Sequence, residues 1–434
     1  MSQEPTARHA ALDLLAAVLR RKRPLDDAID DSPAMHHLPG RDRAFARLLV
    51  ATALRRLGQI DALIAPCLST PLAPRAAVVQ DILRLGAAQL FFLRTPPHAA
   101  VATSVDLAHS RGFLSHKGLV NAVLRRLSVE GGERVETQDA ARLNTPNWLW
   151  RSWSCSYGEE TARAIATAHL KEAPLDLTLR EEDAEVWCDR LQGTLLPTGT
   201  LRRSAGGSVA TLPGYAEGAW WVQDAAAALP ARLFGDLAGR AVVDLCAAPG
   251  GKTAQLAAAG AEVTAVDRSP RRLDRLVANF DRLGLPIAAV AADALSWRPD
   301  RPIDAVLLDA PCTTTGAIRR HPDVPHLKLP EDVVRLSVVQ DNLLRAAIDM
   351  LRPGGTLVYC TCSLEPAEGR ERIEALFEAG APVERWPITP DEIGVEAEWI
   401  TADGDLRTLP CYLAQYNGLD GFFSARLVKR ETAP

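Results

Sequence analysis

Lysine is scarce in this chain: only 6 of its 49 basic residues are Lys and 43 are Arg. Contacts to anions therefore fall mainly to planar guanidinium forks, which match phosphate and base edges, rather than to compact ammonium groups, although abundant Ala beside the Arg fits a plain genomic composition bias equally well. Cysteine is sparse and scattered. Of 8 Cys only Cys360 and Cys362 are close in sequence, which excludes the dense disulfide framework of small secreted domains and points to reduced thiols. No uninterrupted apolar run reaches membrane-spanning length. The first apolar stretch, Ala10 to Leu19, is broken by Asp13 and followed by Arg20, Arg21, Lys22 and Arg23, the wrong order for a signal peptide. A soluble, cytoplasmic protein with no membrane partner is expected.

What is present is ample core. Hydrophobic residues make up 47% and charged residues 24% of the chain, which excludes the composition of disorder, and 434 residues at roughly 150 per domain suggest about three domains. The formal charge of −5 hides an asymmetry. Residues 1–140 carry 18 Lys+Arg against 14 Asp+Glu, so the basic excess lies in the first third. Apolar residues recur there at helical spacing in Leu12, Leu15 and Leu19, in Phe45, Leu48 and Leu49, in Val78, Ile82 and Leu85, and in Leu119, Val123 and Leu127. Arg43, Arg47, Arg55, Arg56, Lys117, Arg125 and Arg126 fall on the polar faces, where the plain reading is a solvated helix surface and the functional one a nucleic-acid contact. Residues 130–146 (EGGERVETQDAARLNTP) lack periodicity and predict a linker.

Beyond Pro146 the pattern mixes. A short helical start, a strand at 175–180, a helix near 183–193 and a strand around 199–204 suggest a small α+β insert. After Trp220, AVVDL (241–245), AEVTAVD (261–267), IAAVAAD (287–293), IDAVLLD (303–309) and TLVYCTC (356–362) read as strands separated by helices such as 269–283 and 331–351. That alternation predicts a parallel, doubly wound sheet, whose ligands bind beyond the carboxyl ends of the strands.

The first strand leads into Asp244-Leu-Cys-Ala-Ala-Pro-Gly250-Gly251-Lys252-Thr253. Its glycines permit close backbone approach to a ligand, and the next helix offers unpaired N–H groups. The spacing fits neither a P-loop nor a GxGxxG dinucleotide loop. Asp267 ends the second strand, placed to accept ribose hydroxyls, and Asp293 ends the third, placed to accept from an exocyclic amine; each alone is equally a strand-end cap. Three acids in succession favour an adenosine-containing ligand. The fourth and fifth strands run into Asp309-Ala310-Pro311-Cys312 and Tyr359-Cys360-Thr361-Cys362-Ser363, delivering Asp309, Cys312 and Cys362 to one cleft. Such thiols are often mere small hydrophobes. Zinc is a weaker reading because no matching His/Cys pair accompanies them, and a thiolate nucleophile with a carboxyl partner is the best chemical one.

DLCAAPGGKT (244–253), LLDAPCTTTGAIRRHPD (307–323) and LVYCTCSLEP (357–366), with the ending DGFFSARLVK (420–429), resemble in order the motifs of the RNA cytosine-5 methyltransferases of the Sun/Fmu/Nol group. RDRAFARLL (41–49) and KGLVNAVLRR (117–126) resemble a NusB-like RNA-binding domain. The resemblance spans nearly the whole chain. It implies an all-α NusB-like domain over 1–140, a linker and small α+β (RRM-like) subdomain over 141–215, and an α/β Rossmann-like methyltransferase domain over 216–434. It further implies S-adenosyl-L-methionine as cofactor, held or framed by Cys246, Ala247, Ala248, Pro249, Gly250, Gly251 and Lys252 with Asp267, Asp293 and Asp309; 16S ribosomal RNA as substrate; and a monomer. Cys362 takes the part of nucleophile, and Cys312 a part in its release. Thr314 and Gly369 depart from the family, where Gly and Asn are common.

Carbon 5 of cytosine is a poor nucleophile, so a thiolate added at carbon 6 must push electrons into the ring, with Asp309, protonated or sharing a proton with ring nitrogen 3, offsetting the developing charge. An unaided thiol is only a few per cent ionised at pH 7, so the site is expected to lower that value, with Lys252 and the helix beginning near Gly250 as sources. Cys312 as nucleophile, the arrangement of DNA cytosine-5 methyltransferases, is the rival assignment. An RNA-binding ribosome-assembly factor is the rival function, though it has no need of two such thiols. A nicotinamide dehydrogenase lacks its GxGxxG loop.

Overall fold

The leucine and alanine stripes of the first third fold into helices at Ala7–Leu19, Gly40–Arg55, Ala77–Phe91, Pro97–Ser110 and Lys117–Glu136. Leu12, Leu15, Leu49, Ile82, Leu85, Val123 and Leu127 meet in one core, whereas Leu48 faces outward. The computed structural model describes residues 6–180, 183–204 and 206–431. The chain divides into two units, residues 1–171 with 318–328 and residues 172–317 with 329–434.

Two expectations about the first unit are corrected. Residues 130–136 are no linker but the last turns of the helix Lys117–Glu136. Gly131, which reads as a breaker in sequence, is buried there, and a Cβ on it would lie 2.3 Å from the Phe91 ring, so its bareness serves close packing. The unit also runs past 140. Helices Asn147–Tyr157 and Glu159–His169 belong to it, with Trp153 fully buried and set edge-on to His169 at 5.4 Å. Arg56 stitches this extension on by donating to the Leu170 carbonyl at 3.0 Å.

A second surprise lies within the LLDAPCTTTGAIRRHPD motif. Its first part stays with the sheet unit, but residues 318–328 belong to the helical unit. There Asp323 accepts from the Leu25 N–H at 2.9 Å, Lys22 donates to the His326 carbonyl at 3.0 Å, and Arg55 donates to the Arg319 carbonyl at 2.9 Å. Arg55 and Arg56 therefore brace the chain, and Arg47 and Arg126 pair with Asp26 and Glu130.

The second unit opens with a small antiparallel sheet of β1 (Leu175–Leu179), β2 (Thr194–Leu195), β3 (Leu201–Arg203) and β4 (Trp220–Val222), in the order β2-β3-β1-β4. The large sheet comprises β5 (Ala241–Leu245), β6 (Glu262–Asp267), β7 (Ala288–Ala291), β8 (Ile303–Asp309), β9 (Leu351–Thr361), β10 (Val383–Arg385), β11 (Leu406–Arg407) and β12 (Phe423–Lys429). Its order is β10-β12-β9-β8-β5-β6-β7, with β11 paired to β12. From β9 to β7 every pairing is parallel, as the alternation predicts. The other edge is antiparallel, so the sheet is mixed. Strands β5, β8 and the inner part of β9 are continuous apolar runs because both their faces are covered. The helix Pro270–Leu283 shows how local chemistry sets an element: Ser269 caps it, Pro270 opens it, Gly284 closes it in the left-handed conformation, and Leu273, Leu276, Phe280 and Leu283 fill its buried face.

A buried ion pair joins the small sheet to the C-terminal segment. Asp176 on β1 and Arg202 on β3 are cross-strand partners, 3% and 6% exposed, joined by two bonds of 2.6 Å. Arg202 also donates to the Tyr416 and Gly418 carbonyls, while Asp176 accepts from the Ala225 N–H at 3.0 Å. Removing one partner strands a buried charge, so Asp176→Ala should cost about 3–5 kcal/mol in urea unfolding. A loss under about 1 kcal/mol, the range of a surface pair, would show that Arg202 reaches water instead.

Candidate active site

The parallel register aligns the ends of β5, β6, β8 and β9, and the polar residues just beyond them converge. Cys246 turns the chain off β5 with φ +61°. The loop then closes onto Gly250, whose φ is +100° and where a Cβ would lie 2.9 Å from Leu276, so glycine is required on both counts. Gly251 starts the helix Gly251–Ala258. Asp267 clasps this loop: one carboxylate oxygen accepts from the Ala248 N–H at 3.2 Å, the other from the Ser269 N–H at 2.9 Å. Arg272 lies 3.4 Å from that carboxylate and donates to the Ala248 carbonyl.

From the helix, Thr253 donates to Asp244 Oδ2 at 2.6 Å. Asp244 Oδ1 is buried without a hydrogen-bond partner, and burial pushes this carboxyl up to about 7 against the Thr253 bond. Lys252 reaches across to Asp309 Oδ2 at 2.7 Å, its ammonium 4.9 Å over the Phe422 ring. Burial alone would lower the Lys252 pKa, but Asp309 holds it above the ordinary lysine range. Lys252 is thus committed to a carboxylate rather than directed at a thiol. The Cys246 thiol is pushed up to about 12 by burial and by Asp309 and Asp267.

Strands β8 and β9 pair Asp309 directly with Cys360. Cys312 and Cys362 follow, their sulfurs 3.5 Å apart. Cys360 is fully buried, its thiol raised by burial and Asp309. The Cys312 thiol is raised well above its usual value by the hydrogen bond to Cys362, by burial and by Glu368. The structure thus brings together Asp244, Cys246 to Lys252, Asp267 and Asp309 at adjoining strand ends. Asp293, by contrast, is exposed and caps its own turn through the Leu295 N–H at 2.9 Å. Sequence reasoning missed Thr253, Phe422 and above all Glu368, an acid six residues beyond Cys362 and two beyond the end of the motif 357–366.

The family described as 16S rRNA methyltransferase RsmB/F matches residues 236–428, and the NusB family matches residues 5–128. A ribosomal RNA small subunit methyltransferase B of Pseudomonas putida is 36% identical, over 97% of this chain and 98% of its own. The chain belongs to the RsmB/F family. The corresponding protein of Shewanella oneidensis is 32% identical over 91% of this chain and 92% of its own. The crystal structure of PH0851 shares the fold with a TM-score of 0.76 and 22% identity, covering 97% of this chain and 98% of that one. As a member of this family the protein is an S-adenosyl-L-methionine-dependent RNA methyltransferase.

The residues present fit that cofactor. It carries an ammonium and a sulfonium, and Asp244 offers an orphaned buried oxygen beside Asp267 and Asp309, with a glycine cradle that a side chain would fill. Such a cation favours the ionised form of Asp244. Since that carboxyl titrates near 7 and proton and ligand compete, affinity should fall as pH drops below 7, by roughly tenfold per unit, and level off above 8. Calorimetry across pH 5.5–8.5 checks this; a flat profile would remove Asp244 from the site. Asp267→Ala should weaken binding about ten- to a hundredfold, the worth of hydrogen bonds to a charged acceptor. Unchanged affinity in that folded variant would defeat its assignment.

Proposed function

We propose that the enzyme methylates carbon 5 of a cytosine in 16S ribosomal RNA through a covalent adduct formed by Cys362. The observation that carries this reading is the 3.5 Å contact of the Cys312 and Cys362 sulfurs beside the Lys252–Asp309 pair. Ring methylation at carbon 5 needs a nucleophile at carbon 6 and a base for the carbon 5 proton. Two thiols and a carboxylate at adjoining strand ends supply that set.

Burial and its neighbours raise the Cys312 thiol well above its usual value, which makes Cys312 the poorer attacking thiolate and favours Cys362 as the nucleophile. That thiolate adds to carbon 6, and the electrons displaced into the ring make carbon 5 nucleophilic. Asp309 faces ring nitrogen 3. With Lys252 donating to its other oxygen, the proton that offsets developing charge on the ring is shared through the Lys252–Asp309 pair. S-adenosyl-L-methionine, when bound, supplies the electrophilic methyl group. Release then requires that Cys312 pass its own proton to solvent and take the carbon 5 proton as the thiolate, while the Cys362 sulfur is expelled as a thiolate and the ring double bond is restored.

The cysteines should therefore fail differently. Cys362→Ala should lose methylation by at least about a thousandfold, as removal of a nucleophile does, and form no adduct with RNA. Cys312→Ala should attack and methylate but release slowly, leaving a protein–RNA adduct that survives a denaturing gel. An adduct with Cys362→Ala and none with Cys312→Ala would reverse the roles.

A further inference from the structure

Beside the two cysteines lies an acid that the proposed chemistry does not use. Glu368 is fully buried, which is costly for a carboxylate unless every lone pair is occupied. They are occupied: one oxygen accepts from the Thr313 N–H at 2.9 Å and Gln340 at 3.2 Å, the other from Ser363 at 2.6 Å and the Thr313 hydroxyl. Its backbone carbonyl accepts from the Tyr359 hydroxyl at 2.8 Å and from Thr361 at 3.1 Å. Thr313 is the neighbour of Cys312, and Ser363 the neighbour of Cys362. Gln340 completes the bracket by donating to the Pro311 carbonyl at 2.9 Å.

We infer that Glu368 is a positioning residue that fastens the Cys312 loop to the Cys362 loop and so fixes the contact of their sulfurs. Four donors converge on it from three segments, and a carboxylate is the one side chain that accepts from all four without offering a proton of its own. A neutral amide of the same shape would turn an N–H against one of these donors. Glu368 also brings charge. The groups acting on Cys312 are Cys362 and Glu368, which with burial raise its thiol, and the Thr314 backbone, which lowers it. After the hydrogen bond to Cys362 and burial, the charge of Glu368 adds to what raises the Cys312 thiol.

This rests on the reading of the two cysteines as a working pair, and the test separates the two ideas. In Glu368→Gln the full-length protein should keep its cofactor affinity and its KM for RNA within about threefold, while kcat falls about a hundredfold, the effect of misplacing reacting groups by about 1 Å. Alkylation of Cys312, followed across pH by peptide mass spectrometry, should shift its midpoint down once that charge is gone. Glu368→Asp keeps the charge but shortens the reach. Its midpoint should stay and its kcat should still fall, and it carries the test should Glu368→Gln not fold. An unchanged kcat in either variant, or an unmoved midpoint in Glu368→Gln, overturns the inference. A shifted midpoint combined with reversed adduct behaviour of the cysteine variants would keep Glu368 in place and overturn only the roles of the thiols.

Discussion

The in-register parallel pairing of β8 with β9 is the constraint on which the site depends. It sets Asp309 opposite Cys360, and both chains then leave the sheet at one level. The Ala310 N–H donates to the Cys360 carbonyl and the Gly316 N–H to the Cys362 carbonyl, each at 3.0 Å. The loops that carry two cysteines 50 residues apart are thereby brought side by side by backbone hydrogen bonds, and side chains then set the contact of the sulfurs. A slip by one residue would turn every side chain of the strand to the other face, and the apolar residues of both strands, buried on both faces, forbid it.

That frame gathers charged side chains at the ends of β5, β6 and β8. Lys252 leaves the glycine loop and ends on Asp309, linking the cofactor side of the cleft to the cysteine side in one ion pair. The acids at the ends of β5 and β6, Asp244 and Asp267, are buried, so a cation entering there meets carboxylates with little competing water. The two thiols occupy the opposite extreme. Contact with Cys362, burial and Glu368 discourage ionisation of Cys312.

Much of this was legible in sequence. The strands 241–245 and 303–309 coincide with β5 and β8 because continuous apolar runs bounded by turn residues are unambiguous. The acids and cysteines were found because they stand immediately after strands. Glycine was the main source of error, since Gly131 in a charged stretch reads as a loop when its cause is the Phe91 ring lying against it. The antiparallel edge was missed because β10 to β12 are short or follow irregular segments, and strand direction is set by partners rather than by composition. The assignment of residues 318–328 to the helical unit has no local signal at all: Asp323, Arg319 and His326 acquire their meaning from partners about 260–300 positions away. Asp293 shows the reverse, a strand-end acid whose observed bond is only to its own turn.

The central claim, carbon 5 methylation of a 16S ribosomal RNA cytosine by Cys362, is tested most directly by bisulfite sequencing of ribosomal RNA from cells lacking the gene, complemented with either the wild-type or the Cys362→Ala protein. The account predicts one protected cytosine in 16S RNA that becomes convertible without the gene, is restored by the wild type and is not restored by Cys362→Ala. An unchanged protection pattern in the deleted strain, or full restoration by Cys362→Ala, would contradict it.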